Sequence, residues 1–428
     1  MKVQPAAAIV GDVAVPGVKS IAHRALLLGA IADGETTIAN FGRSGDTEST
    51  IGALRALGVE IDEDADDRLR VHGAGLRGLR APVGPVDCGN AGTLFRLLAG
   101  ILAGQEGEFT LVGDASLSAR PMERIAEPLR HMGAHVQTTD GHAPLTIRGG
   151  PLEPIRYELP VASAQVKSCV LLAGLYAADG PTVVVEKGMP TRDHTERMLR
   201  AMGAHVQSSP REARVWPTNR LAPLEVDMAG DFSAAAPFLV AAALLSGSEL
   251  RVHGVNLNPT RTGLLDVLER MGARVTIFNR HDVGGEPAGD VEMRPAELVA
   301  TEVGAKEVPS LIDELPLLAL AATHARGTTR VSGAEELRAK EADRISHVVD
   351  GLRAVGARIT ERPDGFDVTG VPQRLRGGRL GAHGDHRLAM LGAVAGLVSQ
   401  QGVDVEGAEA VAISFPGFLE LLESVTRR

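Results

Sequence analysis

The sequence has few features that would suit a disulfide-bonded, membrane-spanning or nucleic-acid-binding protein. Cys88 and Cys169 are its only cysteines in 428 residues, which fits a reducing compartment and leaves no cysteine metal cluster. No apolar run reaches the roughly 18 to 20 uninterrupted residues of a membrane span. A net charge of −10 argues against a nucleic-acid partner, which would need a basic face or tail. We therefore expect neither nucleic acid nor membrane as a partner.

Location and metal chemistry are constrained in the same way. Residues 1–17 contain one Lys, an early Pro and Asp12, so we expect no secretory signal and a cytoplasmic protein. The scattered carboxylates show no metal-ligand spacing. The sequence thus predicts no metal site. Its 44% hydrophobic and 23% charged residues are typical of a globular protein.

What is present is a repeat. Six times, a polar or glycine-rich start leads into a run of Ala, Leu, Val and Gly, and successive starts lie 68 to 79 residues apart. Because one such unit is too small to bury a good core alone, six units divide naturally into two domains of three. The six starts are anchored by Lys19, Asn90, Ser163, Asp231, Ser310 and Asp385.

A second pattern recurs in phase with the first. An amphipathic helical segment ends at a glycine and turns directly into a strand, as in Leu-Arg-Ala-Leu-Gly-Val-Glu-Ile at 54–61. The same pattern returns at 129–136, 199–206, 268–275 and 352–359. A sixth copy at 418–425 has the helix pattern but reaches the end of the chain.

Each unit of about 70 residues has room for short strands and two helices, one apolar and buried and one amphipathic. Strands are predicted at 109–112, 182–185, 250–253 and 328–331. The sequence therefore predicts an α/β fold of βαβαββ-like units with helices packed inside sheets. We expect one domain at 18–228, another from 1–17 plus 229–428, and an active site in the cleft between them. If the first strand joins the C-terminal half, the two chain crossings at 13–19 and 225–233 lie side by side.

The polar starts can attract anions, because a helix N-terminus presents unpaired N–H groups and a positive dipole end. In the first copy, Lys19, Ser20, His23 and Arg24 fall on one helical face and predict a cationic patch. An ordinary exposed basic edge is the alternative.

The next copies offer neutral donors and one arginine. Asn90 is placed to cap a helix, and Gly92 would let a ligand approach the backbone. Ser163 and Gln165 offer neutral hydrogen-bond donors at the corresponding start of the third copy. Arg120 next to Pro121 suits a fork for carboxylate or phosphate, although a lone Arg is commonly a surface residue.

Two segments of the C-terminal half carry charge. Asp313 lies between apolar neighbours, as a helix cap or as a general base with a tuned pKa. Lys340, Glu341 and Arg344 form either a solvated charge run or part of a site.

Together these segments resemble the enolpyruvyl transferase family over nearly the full length, specifically its members that act on shikimate 3-phosphate. The resemblance implies a two-domain fold of the inverse α/β barrel type. The motifs are Pro-Gly-x-Lys-Ser-x-x-x-Arg at 16–24, Gly-Asn-Ala-Gly-Thr at 89–93, Arg-Pro-Met at 120–122, Ser-Ala-Gln at 163–165, Arg-Asp-His-Thr at 192–195, Asp-Glu at 313–314, Lys-Glu-x-Asp-Arg at 340–344, Asp-His-Arg at 385–387 and Ser-Phe-Pro at 414–416.

The resemblance implies a reaction without metal or cofactor, in which the 5-hydroxyl of shikimate 3-phosphate adds to C2 of phosphoenolpyruvate and phosphate then leaves. Asp313 would take the hydroxyl proton, and Glu341, with Lys19, would handle the methylene proton. Shikimate 3-phosphate would be held by Lys19, Ser20, Arg24, Ser163, Gln165 and Arg192. Phosphoenolpyruvate would be held by Lys19, Gly92, Arg120, Gln165, Arg344 and Arg387. Asn90, Ala164, Asp313 and Lys340 complete the implied substrate-binding set.

Two positions depart from the pattern of many family members. Ala164 replaces a second Ser, and Ile413 stands where some members place a Lys. Both fit the branch with Ser-Ala-Gln and Arg-Asp-His-Thr, where Arg192 would supply the missing charge. Gly92 is the residue expected of members sensitive to glyphosate, which we expect to compete with phosphoenolpyruvate.

Two alternatives remain open at this point, with a monomer expected throughout. The related transferase that acts on UDP-N-acetylglucosamine normally has Cys at the position of Ala115 and Asn at the position of Ser20. A non-catalytic repeat protein that binds phosphorylated ligands would have no need of Asp313 as a base.

Overall fold

The computed structural model describes residues 1–64, 68–187, 190–371 and 374–428. Among these residues, no helix is both long enough and apolar enough to cross a membrane. The strands are β1 (Lys2–Val3), β2 (Ala8–Ala14), β3 (Glu35–Ala39), β4 (Glu60–Asp64), β5 (Arg68–His72), β6 (Val86–Asp87), β7 (Glu108–Val112), β8 (His135–Thr139), β9 (His142–Arg148), β10 (Arg156–Glu158), β11 (Thr182–Val185), β12 (Val206–Ser209), β13 (Glu212–Val215), β14 (Glu225–Asp227), β15 (Glu249–Asn256), β16 (Arg274–Val283), β17 (Glu286–Arg294), β18 (Glu302–Val303), β19 (Gly327–Val331), β20 (Arg358–Arg362), β21 (Gly365–Gly370), β22 (Gly378–Gly381), β23 (Val403–Glu406) and β24 (Thr426–Arg427).

The helices alternate with these strands, and two 3₁₀ segments at Glu335–Ala339 and Ala408–Ile413 accompany them. The α-helices are α1 (Lys19–Ala30), α2 (Gly45–Ala56), α3 (Gly92–Leu102), α4 (Ala115–Ser118), α5 (Glu123–His131), α6 (Ala164–Gly174), α7 (His194–Ala201), α8 (Phe232–Leu244), α9 (Gly263–Arg270), α10 (Val308–Leu311), α11 (Leu315–Thr323), α12 (Arg344–Ala354), α13 (His386–Leu397) and α14 (Phe418–Val425).

The chain forms two compact units. The N-terminal unit comprises 17–228 and 282–286, and the C-terminal unit comprises 1–16, 229–281 and 287–428. Relative to the boundaries expected from the sequence, Gly17 and the turn at 282–286 lie in the N-terminal unit. Gly17 is packed so closely there that an added Cβ would lie 2.2 Å from Asn40 O. The turn is held through Glu286, which hydrogen-bonds His194 Nδ1 at 2.8 Å.

The N-terminal unit contains three four-stranded sheets, in the orders β14-β3-β5-β4, β6-β7-β9-β8 and β10-β11-β13-β12. In each sheet the first pair of strands is parallel and the others are antiparallel. The Ala- and Leu-rich helices α1, α3 and α6 are buried along almost their whole length. An added Cβ on Gly100 would lie 2.2 Å from Cys169 O, so a side chain there would separate α3 from α6.

The C-terminal unit holds the other three sheets, in the orders β16-β17-β15-β2-β24, β18-β19-β21-β20 and β1-β23-β22. Its apolar helices α8, α11 and α13 are buried and contact one another. Strand β1 pairs antiparallel with β23, with Lys2 opposite Asp404. It therefore supplies the third strand of the sheet formed by the sixth repeat.

The first repeat and the fourth exchange their first strands. Strand β2 pairs parallel with β15 in the C-terminal unit, and β14 pairs parallel with β3 in the N-terminal unit. Strand β2 thus lies in the sheet of the C-terminal unit. Within that unit, Asp231 N donates to Pro16 O at 2.8 Å.

The local sequence signals explain the repeated helix ends. The glycines that follow α2, α5, α7, α9 and α12 all have φ between +83° and +103°, a conformation that glycine adopts without steric cost. The predicted strands correspond to β7, β11, β15 and β19. The α/β fold of repeated units with buried helices is therefore confirmed.

Candidate active site

The first predicted site residue, Lys19, begins α1 in the N-terminal unit. Its Nζ lies 2.8 Å from Asp46 Oδ2 in the first turn of α2. The neighbouring Ser20 Oγ is buried and has no hydrogen-bond partner among the described residues. Sequence reasoning missed Asp46, although the capping box formed by Ser44 and Thr47 marks the start of its helix.

The predicted cationic face of α1 is partly wrong, because His23 is not a cation. It is 1% exposed, and its Nδ1 lies 2.7 Å from Thr50 Oγ1. Burial lowers the pKa of His23 from 6.5 to about 3, so the ring is neutral near pH 7. Of the four residues placed on this face, Lys19 and Arg24 carry the charge.

Arg24 is buried rather than placed on an exposed basic edge. Its Nε donates to Thr195 Oγ1 at 2.7 Å, its Nη2 to Ser168 Oγ at 2.9 Å and its Nη1 to Ser20 O at 2.7 Å. These contacts join α1 to α6 and to α7. The guanidinium is thereby fixed beside Ser20.

The predicted cap at Asn90 is also wrong, because the N-cap of α3 is Ala91. Asn90 instead accepts a hydrogen bond from Arg120 Nη2, and its Nδ2 donates to Asp114 Oδ2 at 2.7 Å. Arg120 is only 7% exposed and is no ordinary surface arginine. A Cβ at Gly92 would lie 3.0 Å from Arg120 Nη1, so the glycine leaves room for this guanidinium.

The third copy places Gln165 beside the second. Gln165 accepts from Arg96 Nη1, and its Nε2 donates to Thr93 Oγ1 at 3.0 Å. Ser163 caps α6 by accepting from Val166 N at 3.4 Å, and Ala164 is the first residue of that helix. Arg96 lies in an otherwise apolar helix, and sequence reasoning missed it.

The segment that carries Arg192 is attached to a buried ionic network. Lys167 Nζ lies 3.0 Å from Glu186 and 2.9 Å from Glu196, and all three side chains are buried. Lys167 also donates to Thr191 O at 3.1 Å, and Thr191 N donates to Glu186 Oε1 at 2.8 Å. Arg192 itself is half-buried.

Asp193, His194 and Glu286 bring three potential ligand atoms within 4.8 Å of one another. This grouping was not expected, because Glu286 is distant from the other two in sequence. A cation is already present, since Arg197 Nε lies 2.9 Å from Asp193 and 3.9 Å from Glu286. The arrangement is an ion-paired cluster within the N-terminal unit.

In the C-terminal unit, Asp313 lies between α10 and α11 and is 9% exposed. The N-cap of α11 is Glu314. Asp313 instead lies among three guanidinium groups: Arg344 Nη1 at 3.2 Å, Arg261 Nη1 at 3.3 Å and Arg387 Nη2 at 3.5 Å. The position favours a site residue over a helix cap.

Lys340, Glu341 and Arg344 are not a solvated charge run. Arg344 is 1% exposed and donates to Glu341 Oε2 at 2.6 Å and to Asp385 Oδ2 at 2.7 Å. Burial lowers the pKa of Lys340, and the charge of Asp313 opposes this shift. Lys340 and Asp313 are thus close enough for their charges to interact.

The last copy contributes Arg387. Asp385 caps α13 by accepting from Arg387 N at 2.8 Å while it binds Arg344. The Arg387 side chain lies 3.6 Å from Glu314 Oε1. Ile413, expected to stand where some family members place a lysine, packs against the core of this unit. Asp385 therefore ties together the two arginines that the resemblance assigns to one substrate.

Both units thus carry buried or half-buried charges and hydrogen-bonding groups. In the N-terminal unit, Lys19, Ser20 and Arg24 form one group, and Arg120 and Gln165 belong to another that includes Arg96. The C-terminal cluster contains Asp313, Glu341, Arg344 and Arg387. Such groups can bind anions through charge-assisted hydrogen bonds, and the C-terminal cluster also offers carboxylates for proton transfer. Arg261 belongs to the C-terminal cluster, and no sequence pattern distinguished it.

Comparisons with known proteins agree on one family. Residues 3–422 match the family described as EPSP synthase (3-phosphoshikimate 1-carboxyvinyltransferase). The 3-phosphoshikimate 1-carboxyvinyltransferase of Acidithiobacillus ferrooxidans is 50% identical, covering 98% of this chain and 96% of the relative. That of Citrifermentans bemidjiense is 48% identical, covering 100% of this chain and 99% of the relative.

Solved structures give the same result. The EPSP synthase of Acinetobacter baumannii superposes with a TM-score of 0.87 at 42% identity, covering 99% of this chain and 97% of that one. The enolpyruvyl transferase NikO of Streptomyces tendae, at 21% identity and a TM-score of 0.78 over 99% of this chain and 96% of that one, shares the fold. The chain belongs to the EPSP synthase (3-phosphoshikimate 1-carboxyvinyltransferase) family.

Proposed function

We propose that this chain is a cytoplasmic, monomeric enzyme that transfers the enolpyruvyl group of phosphoenolpyruvate to the 5-hydroxyl of shikimate 3-phosphate and releases phosphate. The reaction serves the biosynthesis of aromatic amino acids. The observation that carries the proposal is Asp313, a carboxylate set among Arg261, Arg344 and Arg387 in a member of this family. A monomer would have a mass of 44.8 kDa in light scattering.

The charges of the two substrates explain why so many cations are needed. Both substrates carry a phosphate and a carboxylate, so they repel each other when they are brought together. Arginine forks bind both kinds of group with two hydrogen bonds. Local cationic clusters can do this although the whole chain has a net charge of −10.

The binding roles follow the family resemblance. We propose that Lys19, Ser20, Arg24, Ser163, Gln165 and Arg192 hold shikimate 3-phosphate. We further propose that Lys19, Gly92, Arg120, Gln165, Arg344 and Arg387 hold phosphoenolpyruvate, with Asn90, Ala164, Asp313 and Lys340 adjoining the substrates. The buried Ser20 Oγ, which has no partner among the described residues, supports a ligand at that position.

In the first step, the 5-hydroxyl oxygen bonds to C2 of phosphoenolpyruvate and passes its proton to Asp313. The C2–C3 double bond becomes single as C3 accepts a proton, for which Glu341 and Lys19 are the candidates. Fixed cations stabilise the developing charge, which is commonly the largest catalytic contribution.

In the second step, the bond between C2 and the phosphate oxygen breaks and phosphate leaves with the electron pair. C3 then loses a proton, and the carbon–carbon double bond forms again. The proton that C3 loses returns to the group that supplied it, and the proton held by Asp313 passes to the departing phosphate, so the acid and base groups end in their starting forms. The products are the enolpyruvyl ether of shikimate 3-phosphate and inorganic phosphate.

Phosphate release measured with both substrates tests the proposal. Asp313→Asn keeps the size of the side chain and removes the base, so we expect kcat to fall by about 10² to 10⁴. Asp350→Asn is a suitable control, because Asp350 is exposed on α12 and its ion pair is with Arg353. An Asp313→Asn variant with unimpaired turnover would contradict the assignment of the base.

A further inference from the structure

Arg261 is a buried arginine that has no assigned role in binding either substrate. It lies just before α9 and is 3% exposed. Its Nη1 lies 3.3 Å from Asp313 Oδ2, and its Nη2 lies 3.2 Å from Asp231 Oδ1 and donates to Ser233 Oγ. One guanidinium therefore joins the proposed base to the start of α8.

The other two arginines beside Asp313 differ in this respect. Arg344 and Arg387 are the groups that we propose for phosphoenolpyruvate, so substrate would draw their charge away from Asp313. Arg261 is held at its far side by Asp231 and Ser233, which are themselves fixed. Asp231 caps α8 by accepting from Ser233 N at 2.8 Å, and Ser233 Oγ donates to Glu314.

The backbone around Arg261 is also fixed. Arg261 N donates to Asn258 O at 2.8 Å in a turn, and the next helix begins two residues later. A Cβ on Gly263 would lie 2.1 Å from Ser310 Oγ, so this segment packs directly against α10. The guanidinium has little freedom to leave Asp313.

We propose that Arg261 is a positioning residue that keeps Asp313 deprotonated and holds its Oδ2 in place throughout turnover. The inference rests on the proposed function of Asp313 as the base. A permanent cation at this distance favours the charged form of a carboxylate, whereas substrate-binding cations do so only until substrate arrives. Arg261 remains a cation under all these conditions, because guanidinium does not deprotonate in proteins.

The other charged groups around Asp313 include some that favour its ionised form and some that oppose it. Arg344 and Arg387 favour its ionised form, as does Lys340 when protonated. Nearby carboxylates oppose it, and each of them is itself paired with an arginine. These carboxylates are Asp231 at α8, Glu314 at α11, Glu341 before α12 and Asp385 at α13.

Three single variants separate charge from shape. Arg261→Gln removes the charge, and Arg261→Lys retains a charge without the second arm toward Asp231. Arg270→Gln is the matched control, because Arg270 ends the same helix α9 and forms an exposed ion pair with Glu307 at 2.7 Å. A double variant, Arg261→Gln with Asp231→Asn, removes the opposite charge as well and serves if the single variant does not fold.

The first measurement is kcat against pH for phosphate release. For Arg261→Gln or the double variant, we expect the midpoint of the acid limb to rise by about one pH unit or more. At the wild-type midpoint this is a loss of about fivefold. Arg261→Lys should move the midpoint by less, and Arg270→Gln should leave it unchanged. A wild-type profile in the folded Arg261→Gln or double variant overturns the inference.

The second measurement does not depend on activity. Carbon-13 labelling of aspartate carboxyl groups, with Asp313→Asn to identify the resonance, reports the titration midpoint of Asp313 directly. A titration midpoint of Asp313 that rises in Arg261→Gln supports the role of Arg261 even in a protein without transferase activity. The absence of that activity would refute only the proposed function. An unchanged midpoint in an active enzyme refutes the inference and leaves the proposed function standing.

Discussion

The neutral state of His23 leads to a quantitative prediction for stability against pH. The pKa of His23 is lowered from 6.5 to about 3, chiefly by burial; the charge of Asp46 opposes this shift, and the charges of Lys19 and Arg24 add to it. The unfolded chain, in contrast, protonates this ring at an ordinary pKa of about 6.5. As pH falls below 6.5, protons therefore bind preferentially to the unfolded state, and stability decreases.

The size of this loss at pH 5 depends mainly on the unfolded state. At pH 5 the unfolded ring is almost fully protonated and the folded ring is still neutral, so the free energy of unfolding falls by about 2 kcal/mol relative to pH 8. This value hardly changes if the folded pKa is anywhere below about 4. The full contribution is present above pH 6.5 and is lost progressively toward pH 3.

Urea unfolding of wild type and His23→Gln, each at pH 8 and pH 5, isolates the contribution. Glutamine cannot titrate but can still hydrogen-bond Thr50, so other titrating groups cancel in the comparison. We expect wild type to lose about 2 kcal/mol more than His23→Gln between the two pH values. Equal losses in the two proteins would mean that His23 is protonated in the folded state and would refute the reasoning.

Two further predictions concern a glycine and a buried lysine. In Gly92→Ala, the added Cβ would lie 3.0 Å from Arg120 Nη1. We therefore expect the KM for phosphoenolpyruvate and the glyphosate concentration for half inhibition each to rise about tenfold. Unchanged values of both in steady-state kinetics would contradict this prediction. Lys167→Met leaves Glu186 and Glu196 buried without their cation, so urea unfolding should show a loss of about 3 to 5 kcal/mol. Adding Glu196→Gln should recover part of that loss, and a loss below about 1 kcal/mol in Lys167→Met would contradict the importance of the network.

The repeat and its helix ends were predictable because they depend on local signals. Glycine at a helix end and apolar residues at helical spacing act within a few residues, and these signals predicted both helix types correctly. Asn90 shows the limit of such reasoning. The sequence around it is that of an N-cap, but Arg120 and Asp114 compete for its amide, and both come from later in the chain.

The parts that sequence reasoning missed all depend on contacts between distant residues. Arg261 meets Asp313 across 52 positions, and neither residue's neighbours indicate the pairing. His23 looked cationic because its helical face carries Lys19 and Arg24, yet the tertiary fold buries it against Thr50. Strand β1 could not be assigned to the sixth repeat, because its partner β23 lies some 400 residues away.

Phosphorus NMR of the purified protein with shikimate 3-phosphate and phosphoenolpyruvate tests the proposed transfer most directly. We expect one inorganic phosphate and one new phosphorylated product for each phosphoenolpyruvate consumed, and no change when either substrate is omitted. Release of phosphate from phosphoenolpyruvate alone, or no consumption with both substrates present, would contradict the proposed enolpyruvyl transfer.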